Sequence, residues 1–306
     1  MDGLVATAFL FLRGHHMTLL EYFEDVYSLE RELGIYTTYQ YRNAIRRFEQ
    51  WCGLPVQLNE LSEPLLSRWI RHEQELGQLG ARSIKNKRAD ILTVWRHASR
   101  KGLATRPSED VRSVKVDKPV PRAWDMEELK KLLAVAEKAP GYFGNGLPRR
   151  EYLWALLKTA YETGLRRDDL FRLDVARDID AQGRISTIQG KTRQGHTPAI
   201  RVDTREALLR LRDRLKLDGY RYADTPLRWM HEPRDMYHWL KKLCGQAGID
   251  YGALQHLRRT GATHCEREQP GSAMSYLGHK TPGLAYAHYV DARLSRPPRM
   301  PPDPAA

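Results

Sequence analysis

From Leu19 onward, apolar residues recur at intervals of three and four. Leu19, Leu20, Phe23, Val26 and Tyr27 share one face of a first helix, and Tyr41, Ile45 and Phe48 mark a second. Ser62 stands at the N-cap of a third, with Pro64 in its first turn and Leu65, Leu66, Trp69 and Ile70 behind it. A fourth runs from about Ala81 to Arg100, burying Ile84, Ile91, Val94 and Trp95, and Gly102 takes the place of a C-cap glycine. Together they predict an all-helical N-terminal bundle over residues 18–104. Residues 1–17 read as an irregular extension, and Met17, directly before the first helix, is a candidate start of translation.

Between Thr105 and Arg122 the pattern breaks. Pro107, Pro119 and Pro121 interrupt it and apolar residues are sparse, which predicts a linker over 105–122. Asp125 and Glu128 then form a capping box ahead of Leu129, Leu132, Leu133 and Ala136. Another helix spans Pro148 to Thr163, apolar at Tyr152, Leu153, Leu156, Leu157 and Ala160, and Gly164 ends it. From Val175 to Val202 the pattern turns extended. Ile185–Ile188 and Thr197–Val202 read as strands joined by a turn over Gly190–Gly195. Helices resume near Thr204, Arg234, Leu254 and Ser272. Residues 123–292 thus predict a mainly α domain with a small β-sheet, an α+β fold; a Pro-rich tail follows over 293–306, with disorder predicted from Arg296 to Ala306.

Charge changes the picture. The 306 residues carry 50 Lys and Arg against 38 Asp and Glu, a net charge of +12 that suits a polyanionic partner. The excess is uneven: residues 1–80 are net −4, while residues 81–122 carry 12 basic and 4 acidic side chains. Arg82, Lys85, Lys87, Arg88 and Arg96 line the polar side of the fourth helix and are the candidate phosphate contacts. The longest apolar run, Leu4–Leu12, spans nine residues, too short to cross a membrane, and lacks the flanks of a secretory signal. Cys52, Cys244 and Cys265 form neither a disulfide framework nor a zinc pattern, which fits a reducing, cytoplasmic setting. No carboxylate cluster is spaced for two metal ions.

Four local features of the second domain can carry chemistry. Arg166 follows a helix stop in Thr163-Gly164-Leu165-Arg166, where an ion pair with Asp169 is the plain alternative. Lys191 lies in the turn Gly190-Lys191-Thr192-Arg193. His256 and Arg259 stand three residues apart near a helix start. Leu277-Gly278-His279 precedes a short helix bearing Tyr286 and Tyr289. In this order the features resemble the tyrosine recombinases, the phage integrase family, over about residues 18–290. There an arginine follows a TGLR-like turn, a lysine sits on a β-hairpin, an HxxR pair and an LGH histidine follow, and a tyrosine comes some ten residues later.

The resemblance implies a helical core-binding domain and a catalytic domain closing as a C-shaped clamp on double-stranded DNA. It implies catalytic roles for Arg166, Lys191, His256, Arg259, His279 and Tyr289, with self-assembly on DNA from dimer to tetramer and a place at the nucleoid. Guanidinium forks match the charge that develops on a phosphodiester's non-bridging oxygens. A phenol needs a cationic pocket to become a nucleophile. Tyr289 would attack to leave a 3′-phosphotyrosine while Lys191 protonates the departing 5′-oxygen. The covalent bond conserves the phosphodiester energy, so neither metal nor ATP is implied. Tyr289 lies ten residues past His279 and Tyr286 seven, and the longer offset is the closer to the family's usual one. Two other readings stay open: a catalytically silent DNA-binding protein of the same fold, and a relaxing enzyme of type IB topoisomerase chemistry.

Overall fold

The computed structural model describes residues 17–117, 120–231, 233–279 and 281–295, so most of the predicted N-terminal extension and of the Pro-rich tail lies outside the described residues. The chain divides into two compact units, Met1–Lys118 and Pro119–Ala306.

The first unit contains α1 (Leu19–Tyr22), α2 (Ser28–Glu30), α3 (Ile35–Cys52), α4 (Glu63–Leu76) and α5 (Ala81–Arg100). Thr18 and Glu21 form a reciprocal capping box at the start of α1. Between α1 and α2 the backbone passes through a π-helical turn, Phe23–Tyr27. Leu19, Tyr22, Phe23, Val26 and Tyr27 are buried along this segment, the spacing of three and four that an apolar helix face requires. These side chains pack with Phe48, Leu66, Trp69, Ile91 and Trp95 into one core. Ser62 occupies the N-cap of α4 but makes no side-chain cap bond, leaving Pro64 in the first turn as the start signal.

The first part of the predicted linker is no free tether. Val111 and Val114 are buried in the bundle core, and Trp95 Nε1 donates to the Thr105 carbonyl at 2.7 Å. Arg88 donates from Nε and Nη2 to the carbonyls of Arg112 and Val111 at 2.8 and 2.9 Å. Prolines on either side masked the two valines in the hydrophobic pattern.

The second unit is built around α7 (Arg149–Thr163), which is buried on most of its circumference. Against it lie α6 (Met126–Glu137), α9 (Val202–Leu217) and α11 (Leu254–Glu268); α8 (Arg167–Phe171) follows α7 directly, and α10 (Pro233–Ala247) packs on α6. The capping box of Asp125 and Glu128 closes with both bonds at 2.8 Å. Three short helices complete the unit: α12 (Ser272–Leu277), α13 (Pro282–His288) and α14 (Ala292–Ser295).

The sheet is smaller than the sequence pattern predicts, and its second strand comes earlier. Strands β1 (Thr187–Ile188) and β2 (Gly195–His196) pair antiparallel, Thr187 opposite His196. The same register continues outward, with Ile185 N donating to Pro198 O and Ile200 N to Gly183 O. Pro198 has no N–H to return, so the regular ladder stops there, and Val202, predicted as strand, begins α9.

Gly164 ends α7 in the left-handed region, at φ +58°, and a Cβ there would lie 2.6 Å from the Tyr276 ring. Gly164→Ala is therefore expected to cost about 1–3 kcal/mol of stability, measurable by urea denaturation. An unchanged midpoint would show that Tyr276 yields freely.

Candidate active site

Arg166 is the N-cap residue of α8, placed there because Gly164 turns the chain sharply at the end of α7. Its Nη1 donates to Gln189 Oε1 at 2.5 Å. The alternative partner, Asp169, turns elsewhere: its Oδ1 accepts from Gly190 N at 2.9 Å and from Arg172 Nη2 at 2.6 Å. Asp169 thus braces the base of the turn that carries Lys191, which is solvent-exposed.

On α11 the structure shifts the predicted pair by one residue. Arg258, not Arg259, faces the cluster. Its guanidinium is fully buried and donates to the carbonyls of Gly164 and Leu277, the latter at 3.0 Å. The same Nη2 lies 3.1 Å from His279 Nε2, and Arg258 Cζ stands 5.0 Å from the centre of the Tyr289 ring. His279 and Tyr289 meet edge to face at 5.1 Å between ring centres. Gln255, one turn before Arg258, hydrogen-bonds the Tyr289 side chain. In this chain the histidine position of an HxxR pair thus holds glutamine.

His256 and Arg259 lie on the neighbouring face, because successive helical residues point about 100° apart. His256 packs on Trp124 at 4.4 Å between ring centres, and burial with Arg259 alongside lowers its pKa to about 4. It is a neutral packing ring. Among the described residues no hydrogen bond, ion pair or ring contact joins Arg259 to Arg166, His279 or Tyr289. One signal could have found Arg258: it lies four residues from Leu254 and from Ala262, on an apolar stripe where an unpaired arginine is costly.

The two tyrosines separate clearly. Tyr286 donates its hydroxyl to Glu266, a buried carboxylate that also accepts from Gly271 N and Ala273 N. Tyr289 caps α13, its backbone carbonyl 3.4 Å from Thr263 Oγ1, between buried Ala285 and Val290. Asp291, fully buried, accepts from Ala123 N at 3.1 Å and ties this end of the chain to the beginning of the unit.

Electrostatics follow from the geometry. Burial raises the Tyr289 phenol, but Arg258, the Gln255 hydrogen bond and Arg166 outweigh it and hold the pKa below the ordinary 10. Burial, then Arg258 and Arg166, push His279 down to about 4, so its ring is neutral at pH 7. A guanidinium only donates, so His279 Nε2 accepts from Arg258 and the ring proton sits on Nδ1, which is buried without a protein partner. No carboxylate pairs with Arg166 or Arg258 among the described residues.

On the first unit, Arg82, Lys85 and Arg96 are exposed along α5. Lys87 and Arg88 are engaged within the unit, Lys87 with Asn43 Oδ1 and Arg88 with the strapped segment. Arg100 and Arg106, which the pattern of α5 did not single out, line a cleft with Arg96, Ser99 and Glu109. No described helix is long and apolar enough to cross a membrane.

Among the described residues, two arginines without a paired carboxylate converge on one tyrosine and a neutral histidine. The sequence profile of the phage integrase family matches residues 123–296, and the chain belongs to that family, the tyrosine recombinases. No curated protein matches the chain in sequence. Among solved structures it is similar to a lambda integrase dimer bound to a COC′ core site, at 20% identity and a TM-score of 0.69, covering 93% of this chain and 79% of that one. It is also similar to XerH site-specific recombinase bound to difH substrate in a pre-cleavage complex, at 18% identity and a TM-score of 0.65, with 88% and 82% covered. The Tn1549 transposon integrase in complex with circular intermediate DNA follows at 12% identity and a TM-score of 0.66, with 90% and 95% covered. These likenesses show the fold.

Proposed function

We propose that the chain is a site-specific DNA recombinase that cleaves and rejoins double-stranded DNA through a 3′-phosphotyrosine at Tyr289. One observation carries the reading: the buried Arg258 and the half-buried Arg166 face the Tyr289 phenol with no carboxylate to neutralise them among the described residues. A buried cation in that state is stabilised by an incoming anion, and a scissile phosphate supplies one.

In this mechanism Arg166 and Arg258 fork onto the non-bridging oxygens, and His279 adds the Nδ1–H donor. The Tyr289 oxygen attacks phosphorus, the bond to the 5′-oxygen breaks, and Lys191 delivers a proton to that oxygen. Gln255 cannot take up the phenol proton, since a carboxamide is no base at neutral pH; it holds the phenolate by hydrogen bond, and the lowered pKa lets the proton leave to solvent. Religation reverses the steps. Lambda integrase is bound to a core site as a dimer and to a Holliday junction as a tetramer, and the same assembly is proposed here. The test is incubation with nicked duplexes that trap a covalent intermediate; failure to form a protein–DNA adduct at any site would favour the silent DNA-binding reading.

Lys191 is tested through its leaving group. Lys191→Ala is expected to cleave slowly, and a duplex with sulfur at the 5′-bridging position, a better leaving group, should restore the rate. Absence of that rescue would move the acid's role to Arg193 or His196 in the same hairpin.

Phosphate contact by the first unit is tested by salt dependence. Arg88 is held by the strapped segment, so the pair to replace is Arg82 and Lys85. Their joint change to Ala is expected to lower the slope of log K against log salt by about 2. A slope equal to the parent's would mean that this face is merely solvated.

A further inference from the structure

We infer that Gln189 is a positioning residue that locks Arg166 and the Lys191 turn to the Leu277-Gly278-His279 corner; the inference rests on the recombinase reading. Gln189 stands just before Gly190-Lys191 and is almost wholly buried. Its Oε1 accepts from Arg166 Nη1 at 2.5 Å and from Thr192 Oγ1 at 3.1 Å. Its Nε2 donates to the Leu277 carbonyl at 3.1 Å. The amide can sit only this way round, because a flip would set its NH₂ against a guanidinium and its oxygen against a carbonyl.

The Leu277 carbonyl is shared. It accepts from Gln189 Nε2 and from Arg258 Nη2, so one oxygen joins the hairpin to the second arginine. Gly278 makes room for this junction: at φ +64°, a Cβ there would lie 2.7 Å from Gln189 Nε2. Gln189 also closes the turn through its backbone, with N donating to Gln194 O at 2.9 Å and O accepting from Arg193 N at 2.8 Å. A side chain bonded to Arg166, to the lysine turn and to the carbonyl that holds Arg258 sets the spacing of the three cations around one phosphate. An apolar side chain of the same length would fill the space and release Arg166, Thr192 and the Leu277 carbonyl from it.

Gln189→Met is the test, with Gln189→Glu as the second variant because it keeps the oxygen that faces Arg166 and Thr192. With non-covalent DNA affinity within about 2-fold of the parent, Gln189→Met is expected to slow cleavage by about 10- to 100-fold, the scale of a misplaced donor. The 5′-bridging sulfur substrate should recover only part of that loss, since Arg166 is released as well. In an Arg166→Ala background the same change should cost markedly less, as coupled residues are not additive. Gln189→Glu should fall between parent and Gln189→Met. Independently of activity, trypsin should cut after Lys191 and Arg193 several-fold faster in Gln189→Met, because the turn has lost its side-chain anchor. Parent-like trypsin and cleavage rates in both variants would overturn the inference. So would equal fractional losses with and without Arg166. Faster trypsin cutting in a protein whose parent forms no adduct would uphold the anchor and overturn the recombinase reading instead.

Discussion

Tyr289→Phe is expected to bind nicked duplex as tightly as the parent chain and to form no covalent adduct. Only the hydroxyl is lost, and the ring can keep its contact with His279 at 5.1 Å and with Arg258 at 5.0 Å. Gel separation of adduct from free protein under denaturing conditions reads the outcome directly. Tyr286→Phe should retain adduct formation, because the Tyr286 hydroxyl is committed to Glu266 inside a small buried network. The parent's cleavage should also rise with pH, since the phenolate is the attacking form, and should level off below pH 10, since Arg258 and Arg166 outweigh burial at Tyr289. Peptide mapping of an adduct to Tyr286 would overturn the assignment.

The second large effect separates neighbouring arginines. Arg258→Ala should cut cleavage by about 10²–10³-fold or more, the scale of losing one transition-state donor in a dry site. Arg259→Ala should cleave within a few-fold of the parent, because Arg259 lies beside His256 on the Trp124 face of α11. Arg258→Lys should recover little, since an ammonium cannot span the Gly164 and Leu277 carbonyls while also reaching His279. Non-covalent DNA binding by the same samples shows that the loss is chemical rather than a failure to fold. A cleavage defect confined to Arg259→Ala would restore the pair predicted from the sequence.

Much of this site is legible in the sequence, because local rules place most of its parts. A glycine that must take positive φ marks the end of α7 and puts Arg166 at the next turn. Gly278 does the same ahead of His279. Lys191 falls between two extended stretches, where only a hairpin turn fits. The misread strand shows the limit of such rules: Thr197–Val202 has the residues of a strand, yet the register set at Thr187 and His196 places the regular pairing earlier. Arg88 is a similar case. Its place on the polar side of α5 suits a phosphate, but only the folded segment after Thr105 reveals that its donors are already taken.

The amino-acid sequence by itself determined the helices, the hairpin, the order of the arginine, lysine, histidine and tyrosine positions, and the family that order resembles. Periodicity, capping and glycine conformation act over a few residues, and the chain carries them wherever it folds. The tertiary structure decided which member of each neighbouring pair enters the site. Arg258 and Arg259, Gln255 and His256, Tyr286 and Tyr289 are each compatible with a helix in the right place. Selection between them came from what packs on each face: Trp124 on one side of α11, and His279 with Tyr289 on the other. A turn of 100° per residue moves a side chain from one neighbour to the next, and only the assembled neighbours define which of them is the site.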